Sequence, residues 1–180
     1  MSKIKENSGV LVQGHIKIHD PESGAVFVNK RNAIHYENMS IALAESVANA
    51  GQGFISSMAF GNGGTSVDPT GIITYLTPNS TGTNASLYNQ TFTKIVDDRS
   101  VSNLDPQRTK IETRHVNGTN YTDVVVTCLL DYGEPNGQDA TDTASASDSL
   151  YVFDELGLTS YASSGTGKLL THVIFHPVQK

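Results

Sequence analysis

Tryptophan is absent from this 180-residue chain and cysteine occurs once. A lone Cys128 cannot close an internal disulfide. Its setting, Val124-Val-Val-Thr-Cys-Leu-Leu130, reads as an apolar strand in which burial raises the thiol pKa and keeps it inert. Basic residues are also scarce: 12 Lys and Arg against 18 Asp and Glu give a net charge of −6. Neutralising phosphates takes clustered Lys and Arg, so tight non-specific nucleic-acid binding is excluded as an expectation. The only adjacent basic pair, Lys30-Arg31, reads as a solvated turn after a strand. No apolar run approaches bilayer length, and Met1-Ser-Lys-Ile-Lys-Glu6 lacks the apolar h-region of a signal peptide. A chain made and kept in the cytoplasm, with no membrane partner, is the expectation. Without secretion, the Asn-x-Ser/Thr triplets at Asn79, Asn84, Asn89, Asn117 and Asn120 mark only polar loops.

What the chain does contain is short strand patterns separated by Ser, Thr, Asn and Gly. Hydrophobic residues make up 37% of it, below the usual globular share. Val10 to Ile18 places Val10, Val12, Ile16 and Ile18 at period two, and Asp20-Pro-Glu-Ser-Gly24 turns into a second strand at Ala25 to Val28. Asn38 predicts a helix cap, with the helix running to about Ala50, an apolar stripe of Leu43, Ala44, Val47 and Ala48, and Gly51 as the stop. Phe54 to Phe60 carries bulk on both faces and reads as an interior strand. Further strands are predicted at Thr91 to Val96, Arg108 to His115 and Tyr121 to Leu130, with Asn117-Gly118 as a two-residue type I′ hairpin turn. The fold class is therefore mainly β: an antiparallel β-sandwich or jelly-roll-like domain with one amphipathic helix and long polar loops. One domain spans residues 1–180, with an extended N-terminal arm over about residues 1–9 and a long loop over about residues 65–90.

Apparent chemical motifs fail on their mechanics. Gly165-Thr-Gly-Lys168 resembles a phosphate loop, but Ala162 stands where its first glycine belongs and Leu169 where a magnesium-binding hydroxyl belongs. Gly51-Gln-Gly53 and Gly61-Asn-Gly-Gly64 lack the third glycine of a dinucleotide site. His15 and His19, like His172 and His176, lie four apart, which on a strand is about 13 Å, too far to share one ion. Asp97-Asp98 and the set Asp139, Asp142 and Asp148 lack calcium-loop spacing. Asp154-Glu155 are neighbours that point apart, with no second acid placed to face either. No catalytic residue, metal ligand or cofactor site is assigned, and the chain is not expected to be an enzyme.

Several segments carry a resemblance. Gly14-His-Ile-Lys-Ile-His-Asp20, Lys30-Arg-Asn-Ala-Ile-His35, Met58-Ala-Phe-Gly-Asn-Gly-Gly-Thr65 and Asp131-Tyr-Gly-Glu-Pro-Asn-Gly-Gln138 occur in order along the chain. Tyr151-Val-Phe-Asp-Glu-Leu-Gly-Leu158 and Leu169-Leu-Thr-His-Val-Ile-Phe-His-Pro-Val-Gln-Lys180 follow them. Together they resemble virion structural proteins of tailed double-stranded DNA phages, in which the Phe153-to-Leu158 segment is a turn and the last segment a closing strand. The resemblance implies a neck, collar or tail subunit assembled in the host cytoplasm as a homo-oligomeric ring. Its implied partners are copies of itself and other phage neck, tail or capsid proteins. A capsid decoration protein is one alternative; a host-receptor or glycan-binding fibre or baseplate module is another, and the absence of Trp counts against a glycan-reading one. The same reading expects the final strand, Leu169 to Phe175, to be an edge that another chain covers or that covers one, and a 65–90 loop whose replacement by a short linker leaves the fold largely intact while assembly fails.

Overall fold

The computed structural model describes residues 9–135, 151–163, 165 and 167–180. In chain order the elements are β1 (Gly14–His19), β2 (Val26–Ile34), α1 (Tyr36–Val47), β3 (Ile55–Gly61), β4 (Thr65–Val67), β5 (Ile73–Tyr75), β6 (Gln90–Ile95), β7 (Lys110–His115), β8 (Thr122–Thr127), β9 (Val152–Ser160) and β10 (Leu169–Gln179). The architecture is mainly β and sandwich-like, and every pairing is antiparallel. A six-stranded sheet runs β1-β2-β10-β9-β3-β6, and β4-β5 and β7-β8 form separate hairpins.

One face of the large sheet carries the main core. Val28, Phe60, Phe153, Leu156, Val173 and Phe175 are buried together, and Ile16, Ile18, Met58 and Phe92 pack against them. Cys128 and Leu130, just beyond β8, close over this cluster. Each fully buried side chain of this size stabilises the fold by about 1.5–3 kcal/mol. Among the described residues the opposite face has a small cluster of Ala59, Leu87 and Leu169. Small residues there let another chain segment approach closely: a side chain at Gly61 would meet the Asn89 carbonyl at 2.4 Å.

Several expectations are corrected. The first strand begins at Gly14, because β2 turns into α1 after Ile34 and leaves Val10 and Leu11 without a partner strand; these are 82% and 74% exposed. Lys30 and Arg31 lie within β2, and the Lys30 ammonium donates to the Ile174 carbonyl at 2.8 Å. The helix cap is His35, whose ring accepts the Asn38 amide, while the Asn38 side chain donates to the Leu169 carbonyl at 2.9 Å. This polar anchoring turns Asn38 and Ala42 inward. The predicted stripe faces outward, with Val47 88% exposed.

The Phe153-to-Leu158 segment is no turn; it lies within β9, inside the sheet. The final strand is not an open edge either: β10 sits between β2 and β9, and burial on both sides accounts for its apolar residues on both faces. The 65–90 stretch contains the β4-β5 hairpin and ends in β6, and its later part lies on the sheet. Between β7 and β8 the connection is six residues long, with Thr119 donating to the Val116 carbonyl at 3.1 Å. Gly118 has φ of 86° while Asn117 does not share a positive φ, so the type I′ turn is absent.

Candidate functional site

The least ordinary chemistry in the fold is a fully buried pair, Glu155 on β9 and His172 on β10. Strand pairing places His172 opposite Gly157 and Gly61 opposite Glu155, so both side chains rise from a surface of small residues. Glu155 Oε1 accepts the amides of Asn89 at 2.8 Å and Gly63 at 3.1 Å. Its Oε2 accepts the Tyr88 amide at 2.9 Å and faces His172 Nε2 at 3.0 Å. A carboxylate offers about four acceptor positions, and here each is filled.

The other nitrogen of His172 fixes its tautomer. Nδ1 accepts the Asn79 amide at 2.8 Å, so the ring proton sits on Nε2 and is donated to Glu155. The Tyr88 ring is tilted against the imidazole at 49°, with centroids 5.8 Å apart. Burial pushes the Glu155 pKa up, but the bond from His172 and the amides of Asn89, Tyr88 and Gly63 outweigh it and hold the group below its ordinary value.

Asp154 continues the pattern on the same turn. Its Oδ1 accepts the Gly64 amide at 2.9 Å, and its Oδ2 accepts the Thr65 amide at 2.8 Å together with the Thr65 hydroxyl. Three successive amides of the Gly61-to-Thr65 turn are thus held by two neighbouring carboxylates. His35, also fully buried, has Nε2 2.9 Å from the Gly82 carbonyl, while its Nδ1 accepts the Asn38 amide at 3.2 Å. Asn79, Gly82, Tyr88 and Asn89 are thereby pinned to the sheet. The arrangement clamps a segment: the partners of both carboxylates are the chain's own amides, the Thr65 hydroxyl and the His172 ring.

The remaining sequence candidates are dispersed. His15 and His19 lie on exposed positions of β1, and His176 Nδ1 is 3.1 Å from the Tyr75 hydroxyl, away from buried His172. No cluster of three or more His, Cys, Asp or Glu placed to hold a metal occurs among the described residues. Asp97 caps the Arg99 amide at 3.0 Å; Asp139, Asp142 and Asp148 lie outside the described residues. Lys168 closes the β9-β10 connection through bonds of 2.9 and 3.1 Å with Ser160. Cys128 follows β8, and burial pushes its thiol up to about 12 despite nearby Lys94.

Sequence reasoning saw Glu155 and His172 separately and missed their union. The available signal was Ala59, Gly61 and Gly157, small residues in strand patterns that mark a close backbone approach. A cleft of about 650 Å³ also opens beside the start of α1, with Arg31, Asn32, Tyr36 and Glu37 in its wall. Compared with protein-family models, curated proteins and solved structures, the chain matches none.

Proposed function

We propose that this chain is a non-enzymatic structural subunit of a tailed-phage virion, a neck, collar or tail component that assembles with copies of itself into a ring. The observation that supports this reading is the β7-β8 ribbon. Its backbone pairs with no other strand among the described residues. Two-stranded ribbons are marginal alone in water and gain stability when covered. This one exposes Val116, Tyr121 and Val124, each more than half accessible. Such a ribbon suits a subunit whose outlying parts are completed by neighbours.

Light scattering of the purified protein, together with gold-labelled antibody on purified particles, tests the reading. A ring-sized mass and labelling at one axial level of the particle are expected. A monomer at every concentration, with unlabelled particles, overturns it. A glycan-binding module is the second reading, favoured by the exposed Tyr36 beside Arg31, Asn32 and Glu37 in the cleft. Glycan-array binding abolished by Tyr36→Ala would favour that reading.

A further inference from the structure

We propose that copies of the chain join head to tail, β1 of one pairing with β6 of the next, so that one antiparallel sheet continues across the joint. This rests on the assembly reading above and names the surfaces that meet. β1 and β6 are the outermost strands of the six-stranded sheet. Among the described residues, the backbone of β1 bonds only to β2 and that of β6 only to β3. Open edges of this kind are templates for a further strand.

The two edges match in length, direction and face. Each strand is six residues long, and neither contains proline. Five antiparallel pairings link the six strands, so β1 and β6 run in opposite directions. A second copy in the same orientation therefore brings its β6 antiparallel to β1, the pairing used throughout the subunit. Ile16 and Ile18 of β1 pack on the same apolar cluster as Phe92 of β6, which places these side chains on one face of the sheet. Strand alternation then puts Lys17 and Thr93, both exposed, on the other face. Apolar residues continue apolar residues across the joint.

Edge guards are weak. The Lys94 ammonium on β6 is turned inward onto the Leu129 carbonyl at 2.7 Å, which leaves that edge without an outward charge from it. Pairing β1 with another β1 about a two-fold axis would bring Lys17 towards its own copy, at a cost in like charge. Against β6, Lys17 meets the neutral Thr91 and Thr93. A joint between two different edges leaves a free edge at each end, so assembly runs on to a closed ring or an open filament.

Two edge-blocked variants, Lys17→Pro and Thr93→Pro, test the joint by analytical ultracentrifugation of the full chain. The parent is expected to be multimeric and each variant alone monomeric. An equal mixture is expected to stop at dimers, because only one compatible pair of edges remains. Either variant retaining the parent mass, or a mixture that stays monomeric, overturns the joint. Should proline unfold either variant, Lys17→Cys and Thr93→Cys proteins mixed under oxidising conditions replace them. Disulfide-linked pairs of unlike variants are expected and pairs of like variants are not; the high pKa of Cys128 keeps it out of the reaction. No unlike pairs overturns the proposal. A multimeric parent indifferent to every edge change sinks this joint alone, whereas a parent monomeric at all concentrations sinks the assembly reading with it.

Discussion

Glu155 answers three backbone amides and one imidazole from a position with no exposed surface. Glu155→Ala strands all four donors, and a loss of about 3 kcal/mol or more is expected from the urea midpoint at unchanged m-value. The same group sets a pH dependence. Its folded pKa lies below the ordinary 4.5, so between the two values the unfolded chain binds more protons. Its contribution is complete above 4.5 and is lost as pH falls from there through the folded value. Acid should therefore lower the unfolding midpoint more steeply in the parent than in Glu155→Gln. Cys128 offers a simpler check: at mildly alkaline pH a disulfide reagent should leave it unmodified in the folded protein and modify it in denaturant. Little of this was legible beforehand. Adjacent acids at Asp154 and Glu155 are visible in any reading, but the amides they hold lie 66 to 92 residues away, beyond the reach of local pattern.

In α1, periodicity pointed to the wrong face. Leu43, Ala44, Val47 and Ala48 make the better apolar stripe, yet the helix is docked by His35 and Asn38 against the Leu169 and Leu170 carbonyls. Two polar bonds with partners on a central strand fix a short helix more specifically than an Ala-rich stripe, and only Ala42 joins them in the buried set. Val47→Lys should accordingly change stability by no more than about 0.5 kcal/mol, while Ala42→Leu should cost about 1–3 kcal/mol by overpacking. Thermal unfolding of the two variants side by side checks the orientation. In the β7-β8 ribbon Gly118 has open space around a built Cβ, so its constraint is the backbone φ alone. Gly118→Val should cost the ribbon more than about 1 kcal/mol. The loss should appear as faster amide exchange in β7 and β8, ahead of any change in the large sheet. Strand existence was legible from alternation here; the turn type was not, because Asn-Gly permits several geometries and the register of the flanking strands selects among them.

Across the whole molecule, the mainly β antiparallel class was readable from short alternating segments, whereas strand order was not. Insertion of β9 and β10 between β2 and β3 depends on pairings that span 94 to 139 residues. The clamp also revises what a deletion would do. Replacing residues 76–89 by a Gly-Ser linker removes Leu87 and the amides that satisfy Glu155 and His172, so loss of cooperative unfolding is expected in place of a surviving fold. Circular dichroism during a urea titration distinguishes the two outcomes. The spatial order of the large sheet has a consequence for biosynthesis. Its outer strands come from residues 14–34 and 55–95, and the two strands that join them come from residues 152–179. While the ribosome is still translating the stretch before residue 152, the nascent chain contains the strands of the β1-β2 and β3-β6 pairs and lacks the two that lie between them. The sheet closes only after the central strands have emerged, so folding waits on synthesis and truncated products never present a finished pair of edges.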